Sequence, residues 1–255
     1  MARAISRALV LVLGIAMASP GEVHVVASGT LVHALAELLP AFERATHTQV
    51  SIAFGASVAS APDSVQKRLE RGERADVFIV AKESLDSLMK EGRVVPDTRV
   101  DVVQSSIGAV VRSGAPKPDI STVEALRRTL AGAKSIAYSS SLSGVYLSQE
   151  LFPRLGIEEA IRGKTKRIED ARVGAAVARG DAEIGFQQIS ELLAVPGVQY
   201  VGPLPSEVQK TTTISAGIAV IAKNADDGHA LIRFLTLRDN APVFIMHGLE
   251  PINPH

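Results

Sequence analysis

Three times in this 255-residue chain a short apolar run stops at a cluster of serine, threonine or glycine, and a helical stretch follows. Glu22-Val23-His24-Val25-Val26-Ala27 breaks at Ser28-Gly29-Thr30, after which Leu31, Leu35, Leu38, Leu39 and Phe42 mark the buried stripe of a helix. Val50-Ser51-Ile52-Ala53-Phe54 breaks at Gly55-Ala56-Ser57, ahead of a polar helix over 62–71. Ser135-Ile136-Ala137-Tyr138 runs into Ser139-Ser140-Ser141-Leu142-Ser143-Gly144, and the spacing of Val145, Leu151, Phe152 and Leu155 predicts a helix from about Ser143. A strand that turns straight into a helix leaves backbone N–H groups at the positive end of the helix dipole. That is a seat for an anion, with hydroxyls added to the amides. One such serine is an ordinary helix cap; its repetition points to a shared crevice.

A further strand, Ala75-Asp76-Val77-Phe78-Ile79-Val80, precedes a helix marked by Leu85, Leu88 and Met89. Strands alternating with helices predict an α/β fold with a parallel sheet, whose ligand lies beyond the carboxyl ends of the strands. Two longer strands, at 105–112 and 211–220, bracket a middle segment that has strands and helices of its own. The expectation is two lobes joined by two crossovers: residues 22–103 with 217–255, and residues 104–216.

Arg3 and Arg7 precede the apolar run Ala8–Ile15, and Ala16-Met17-Ala18 offers a small-x-small cleavage site. Residues 1–18 therefore read as a signal peptide, and the protein as exported to the periplasm. There is no Cys, which removes disulfides, thiolate chemistry and a lipid-anchored cysteine. Basic and acidic residues balance at 27 each, so no nucleic-acid partner is expected. His229, His247 and His255 lack metal-ligand spacing, and no HExxH or nucleophile-elbow pattern occurs. No metal or cofactor is expected.

Taken together, Val26-Ala27-Ser28-Gly29-Thr30-Leu31, Phe54-Gly55-Ala56-Ser57, Gly72-Glu73-Arg74-Ala75-Asp76-Val77-Phe78-Ile79, Ser143-Gly144-Val145-Tyr146 and Gly180-Asp181-Ala182-Glu183-Ile184-Gly185 resemble the type II periplasmic solute-binding proteins. The resemblance is to the molybdate-binding subtype and covers the chain after the leader. It implies two mostly parallel sheets flanked by helices, a small oxyanion or carboxylate held between the lobes, and an ABC permease as the partner for delivery. The chain is expected to act as a monomer. Carried over by position, uncharged donors fall on Ser28, Gly29 and Thr30 after the first strand and on Ser57 after the second. They fall next on Ser141, Ser143 and Gly144 in the serine loop, on an amide among Ala171, Arg172 and Val173, and on Gln188, where the subtype has tyrosine. Threonine at position 30 and glutamine at position 188 depart from the pattern and favour a larger, carboxylate-bearing ligand.

Periplasmic aconitate isomerases share this scaffold. An isomerase is therefore the alternative function, with His33 or Tyr146 expected to transfer the proton and Lys82 to add positive charge.

Overall fold

The computed structural model describes residues 21–55, 64–169, 172–252 and 254. The leader over 1–18, Ser57 and Ala171 lie outside them. Eleven strands are described: β1 (Glu22–Ser28), β2 (Gln49–Gly55), β3 (Val77–Ala81), β4 (Val100–Ser105), β5 (Ile107–Arg112), β6 (Ile136–Ser139), β7 (Thr165–Ile168), β8 (Ile184–Gln188), β9 (Val198–Pro203), β10 (Thr212–Ile218) and β11 (Leu249–Pro251). They form two sheets, ordered β11-β4-β10-β3-β1-β2 and β7-β6-β8-β5-β9. The strand expected over 105–112 is β5, while Ser105 ends a separate strand, β4, in the other sheet; the chain crosses at Ser106. It returns between Pro203 and Thr212. All of β10 pairs within the first sheet, so the boundary expected between 216 and 217 falls inside that strand.

Each sheet has a parallel run at one end, β2-β1-β3 in the first and β7-β6-β8 in the second. The next strands, β10 and β5, run antiparallel to those runs. The sheets are thus mixed rather than mostly parallel, because each crossing delivers the chain to its new sheet in the opposite direction. Helices cover both layers. In the first, Leu35, Leu38 and Phe42 of the helix Val32–Thr46 pack with Val25, Ile79 and Ala216. In the second, Leu126 and Leu130 of Val123–Gly132 pack with Ile107, Ile184 and Phe186. The basic patch Lys166-Arg167 is exposed on β7, an edge strand, where charge discourages pairing with another chain. The helix after the serine loop runs Leu142–Tyr146, widens to a π-turn over Leu147–Leu151 and resumes at Phe152–Leu155. Pro153 has no N–H for the carbonyl one α-turn back, and the wider turn absorbs the lost bond.

Asp76 ties the first sheet together. One carboxylate oxygen accepts from the His24 amide at 2.8 Å; the other accepts from the amides of Lys223 and Asn224 at 2.7 and 3.2 Å. Burial alone would raise its pKa, but the three amides and the nearby His24 hold the group below the usual carboxylate value. Its contribution is therefore complete above pH 4 and fades as pH falls through the lowered value. Asp76→Ala is expected to cost about 3 kcal/mol, since three donors lose a charged acceptor, and to lower Tm by roughly 10 °C in a thermal melt at pH 7.

Candidate functional site

The carboxyl ends of β1, β2, β6, β7 and β8 converge on one cleft of about 320 Å³ between the two sheets. One wall comes from Ser28, Gly29 and Thr30, which form a 3-10 turn between β1 and the helix Val32–Thr46. Ser28 Oγ donates to Thr30 Oγ1 at 3.1 Å and accepts from the Thr30 amide at 3.4 Å. With its lone pair engaged, the Thr30 hydroxyl is left to donate its own hydrogen toward the cleft.

The facing wall holds Ser139, Ser140 and Ser141. Their position follows from Gly144: a Cβ there would stand 1.6 Å from the Ser139 carbonyl oxygen. Only glycine lets the helix start close directly over the end of β6. The hydroxyls of Ser139, Ser141 and Ser143 form a triangle with sides of 2.7, 3.1 and 3.2 Å. Ser141 precedes the helix without capping it through its side chain, so the first helical amides keep their donors. Ser141 lines the cleft, whereas Ser143 is buried beneath it and Gly144 serves packing.

Four side chains outside the expected donor set give the cleft its charge and polarity. Arg172 sits at the cap of the helix Val173–Arg179. That helix lies close on β8 because Gly185 has no side chain; a Cβ there would meet Val173 Cγ1 at 2.5 Å. Glu191, in the first turn of the helix Ile189–Leu193, lies opposite Gly29, where a Cβ would stand 3.7 Å from its Oε1. Its carboxyl end is enclosed although the residue as a whole is half-buried. Burial pushes its pKa up to about 7, against the Arg172 guanidinium and a hydrogen bond from Gln187, which both pull it down. Gln187 Oε1 in turn accepts from the Val173 amide at 3.0 Å. Glu169 completes the set at the exposed rim, 3.0 Å from Arg167.

The remaining sequence candidates divide. Gln188 lines the cleft and also holds the two crossings: its amide nitrogen donates to the Ser106 carbonyl at 3.0 Å, and its oxygen accepts from the Thr212 hydroxyl at 3.2 Å. The Val173 amide, expected to face a ligand, is bonded by Gln187 instead. Tyr146 is not at the cleft. Its hydroxyl donates to the Val208 carbonyl at 2.7 Å within the second core, because its phase on the helix points inward. Lys82 pairs with Asp101 at 3.7 Å, away from the lining. His33 stands behind Arg172: Nε2 is 2.8 Å from the guanidinium and accepts from it, so the ring carries its hydrogen on Nδ1. Burial, Arg172 and His247 all lower its pKa. His247, stacked on it with ring centroids 6.2 Å apart, is held by Glu37 at 3.0 Å.

The sequence signals for the missed residues were faint. Glu191 is an ordinary acidic residue in a first helical turn, and Arg172 was read only for its amide.

The comparisons with known proteins agree with this architecture. An aconitate isomerase from a Pseudomonas species is 42% identical over 228 residues, which cover 89% of this chain and 87% of that protein. The molybdate-binding protein of Escherichia coli K12 is 22% identical over 219 residues, 84% of this chain and 83% of that one. Among solved structures, the periplasmic molybdate-binding protein of Azotobacter vinelandii superposes with a TM-score of 0.69 at 19% identity, covering 91% of this chain and all of that one. Residues 23–250 match the family described as bacterial extracellular solute-binding proteins. The chain belongs to that family: an α/β protein of two lobes with a polar cleft between them.

Proposed function

We propose that this periplasmic protein closes on a small di- or tricarboxylate and interconverts its cis and trans allylic isomers, with aconitate as the first substrate to test. The observation that carries the reading is Arg172 in the same cleft as the hydroxyls of Thr30 and Ser141. A compact tetrahedral oxyanion can be held by neutral donors alone. A guanidinium fork added to neutral donors suits a ligand with two separated carboxylates. The 42% identity to an aconitate isomerase supports the same reading.

In such a reaction a base breaks a C–H bond beside the double bond, and the electron pair moves the double bond by one carbon. The proton then returns at the far end. No oxidant, reductant or cofactor is consumed. Negative charge spreads onto the substrate carboxylates in the transition state, where Arg172, the Thr30 and Ser141 hydroxyls and the helix-start amides would meet it with donors already in place. Hinge closure of the two crossings would exclude water.

A second reading, favoured by the neutral donors and the shared fold, is a carrier that delivers the anion to an ABC permease. Incubating the protein, as a monomer without its leader, with cis-aconitate and following the trans acid by NMR separates the two. A thermal-shift assay on the same sample reports binding. Ligand at a hundred times Kd should add about 2.7 kcal/mol, or roughly 5–10 °C. Turnover supports the isomerase, and a shift without turnover supports the carrier. No shift and no turnover with any di- or tricarboxylate, molybdate, tungstate or sulfate overturns both.

A further inference from the structure

We infer that Glu191 is the catalytic base that carries the allylic proton from one carbon of the substrate to the other, an assignment that rests on the isomerase reading. Three observations support it.

The first is position. Glu191 lines the same cleft as Thr30, Ser141 and Arg172, and its Oε1 lies beside Gly29, a residue without a side chain and next to Thr30. An acid seated among Thr30, Ser141 and Arg172 would therefore lie against this carboxylate.

The second is support. The Val173 amide donates to Gln187 Oε1, which anchors the Gln187 side chain in the same cleft as Glu191, and Gln187 favours the ionised carboxylate. An anchored polar neighbour helps to orient a group for proton transfer.

The third is the state of its neighbours. His33 has its Nε2 lone pair engaged by Arg172. Tyr146 has given its hydrogen to Val208 inside the core. Glu169 is exposed at the rim and paired with Arg167, where it stays solvated. Among the described residues lining the cleft, Glu191 is the enclosed carboxylate. Its pKa of about 7 lies where a general base gains both availability and strength near neutral pH.

The step balances within the site. Glu191 carboxylate takes a proton from the CH2 group, and the C–H electron pair becomes the new double bond as charge moves onto the conjugated carboxylate. The protonated Glu191 then gives the proton to the former vinylic carbon and returns to carboxylate. His33 acts through Arg172 and is a positioning residue.

The decisive variant is Glu191→Gln, which keeps the volume and polarity of the side chain but cannot accept the proton. Its kcat on cis-aconitate is expected to fall by about 10² to 10⁴, while Kd for propane-1,2,3-tricarboxylate, which has no double bond, stays within about threefold. The charged groups that share the cleft with Glu191 are Arg172 and, at the rim, Glu169. His33, behind Arg172, is held below its ordinary pKa by burial and by Arg172. Wild-type kcat/KM should accordingly rise about tenfold per pH unit below about 7 and level off above. Glu191→Asp should restore part of the activity, because it returns a carboxylate at a longer reach. Wild-type turnover that survives in Glu191→Gln overturns this assignment alone. Loss of tricarboxylate binding in step with kcat also overturns it and assigns a structural role. A wild-type chain that binds the acids but never isomerises them overturns the isomerase reading, and this assignment with it.

Discussion

Arg172→Ala is expected to weaken binding of a tricarboxylate by roughly 30- to 1,000-fold, about 2–4 kcal/mol, the range found when one partner of an enclosed charge pair is truncated. The change leaves the Thr30 and Ser141 hydroxyls and the helix-start amides intact. A ligand held by neutral donors alone would therefore bind almost as before, and calorimetry with a tricarboxylate and with molybdate distinguishes the two cases. Arg172→Lys should fall between, because lysine keeps the charge but loses the two-pronged geometry. The electrostatic consequences have defined signs. Arg172 lowers the pKa of both His33 and Glu191. Without it both should titrate at higher pH, which a histidine NMR titration reads for His33 and the acid limb of kcat/KM reads for Glu191. Either pKa moving down in the variant would contradict the contacts described.

Gly144→Ala is the substitution expected to damage the molecule most. The added Cβ would lie 1.6 Å from the Ser139 carbonyl oxygen and 2.7 Å from its carbon. Both atoms are backbone, so no rotamer change relieves the overlap. The start of the helix Leu142–Tyr146 must lift off β6, at a cost of about 3 kcal/mol or more, at or beyond the upper end for overpacking. Tm should drop by roughly 10 °C, and anion binding should fall with it, since the serine hydroxyls and the helix-start amides no longer converge. Gly132→Ala is the matched control. It ends the helix Val123–Gly132, and a Cβ there meets nothing within 4 Å. Alanine should be neutral or stabilising by up to about 1 kcal/mol. Equal stability of the two variants would mean that the loop does not close over β6 as described.

Both substitutions fall on segments whose local form was legible from sequence, although their consequences were not. The runs at 22–27, 75–80 and 135–138 were readable as strands because parallel strands covered on both faces are nearly continuous in apolar residues, and 50–54, on the edge strand β2, by its Val, Ile and Phe. Four strands escaped notice: β7, β9, β11 and all of β4 before its last residue. Their apolar patterns are weak: β7 is basic, β9 is partly exposed throughout, β11 is three residues long, and β4 carries Asp101 and Gln104. The 105–112 run was readable as extended, yet nothing local marks Ser106 as the point where the chain changes sheets.

The candidate site divides in the same way. The hydroxyl seats at Thr30 and Ser141 could be placed because a strand stopping at serine or threonine before a helix is a local pattern with a local cause. The charges could not. Arg172 meets His33 from 139 residues away, and Glu191 meets Gly29 from the opposite sheet. Tyr146 was misplaced for the converse reason: helical spacing says which residues share a face, and only packing says which face is turned to the core.

By itself, then, the amino-acid order determined the α/β class and the strand-end hydroxyls, since each depends on hydrogen bonding and burial over a few neighbouring residues. The tertiary structure alone decided which ionisable groups share the cleft and how enclosed they are. Desolvation and Coulomb interactions act through space and take no account of distance along the chain.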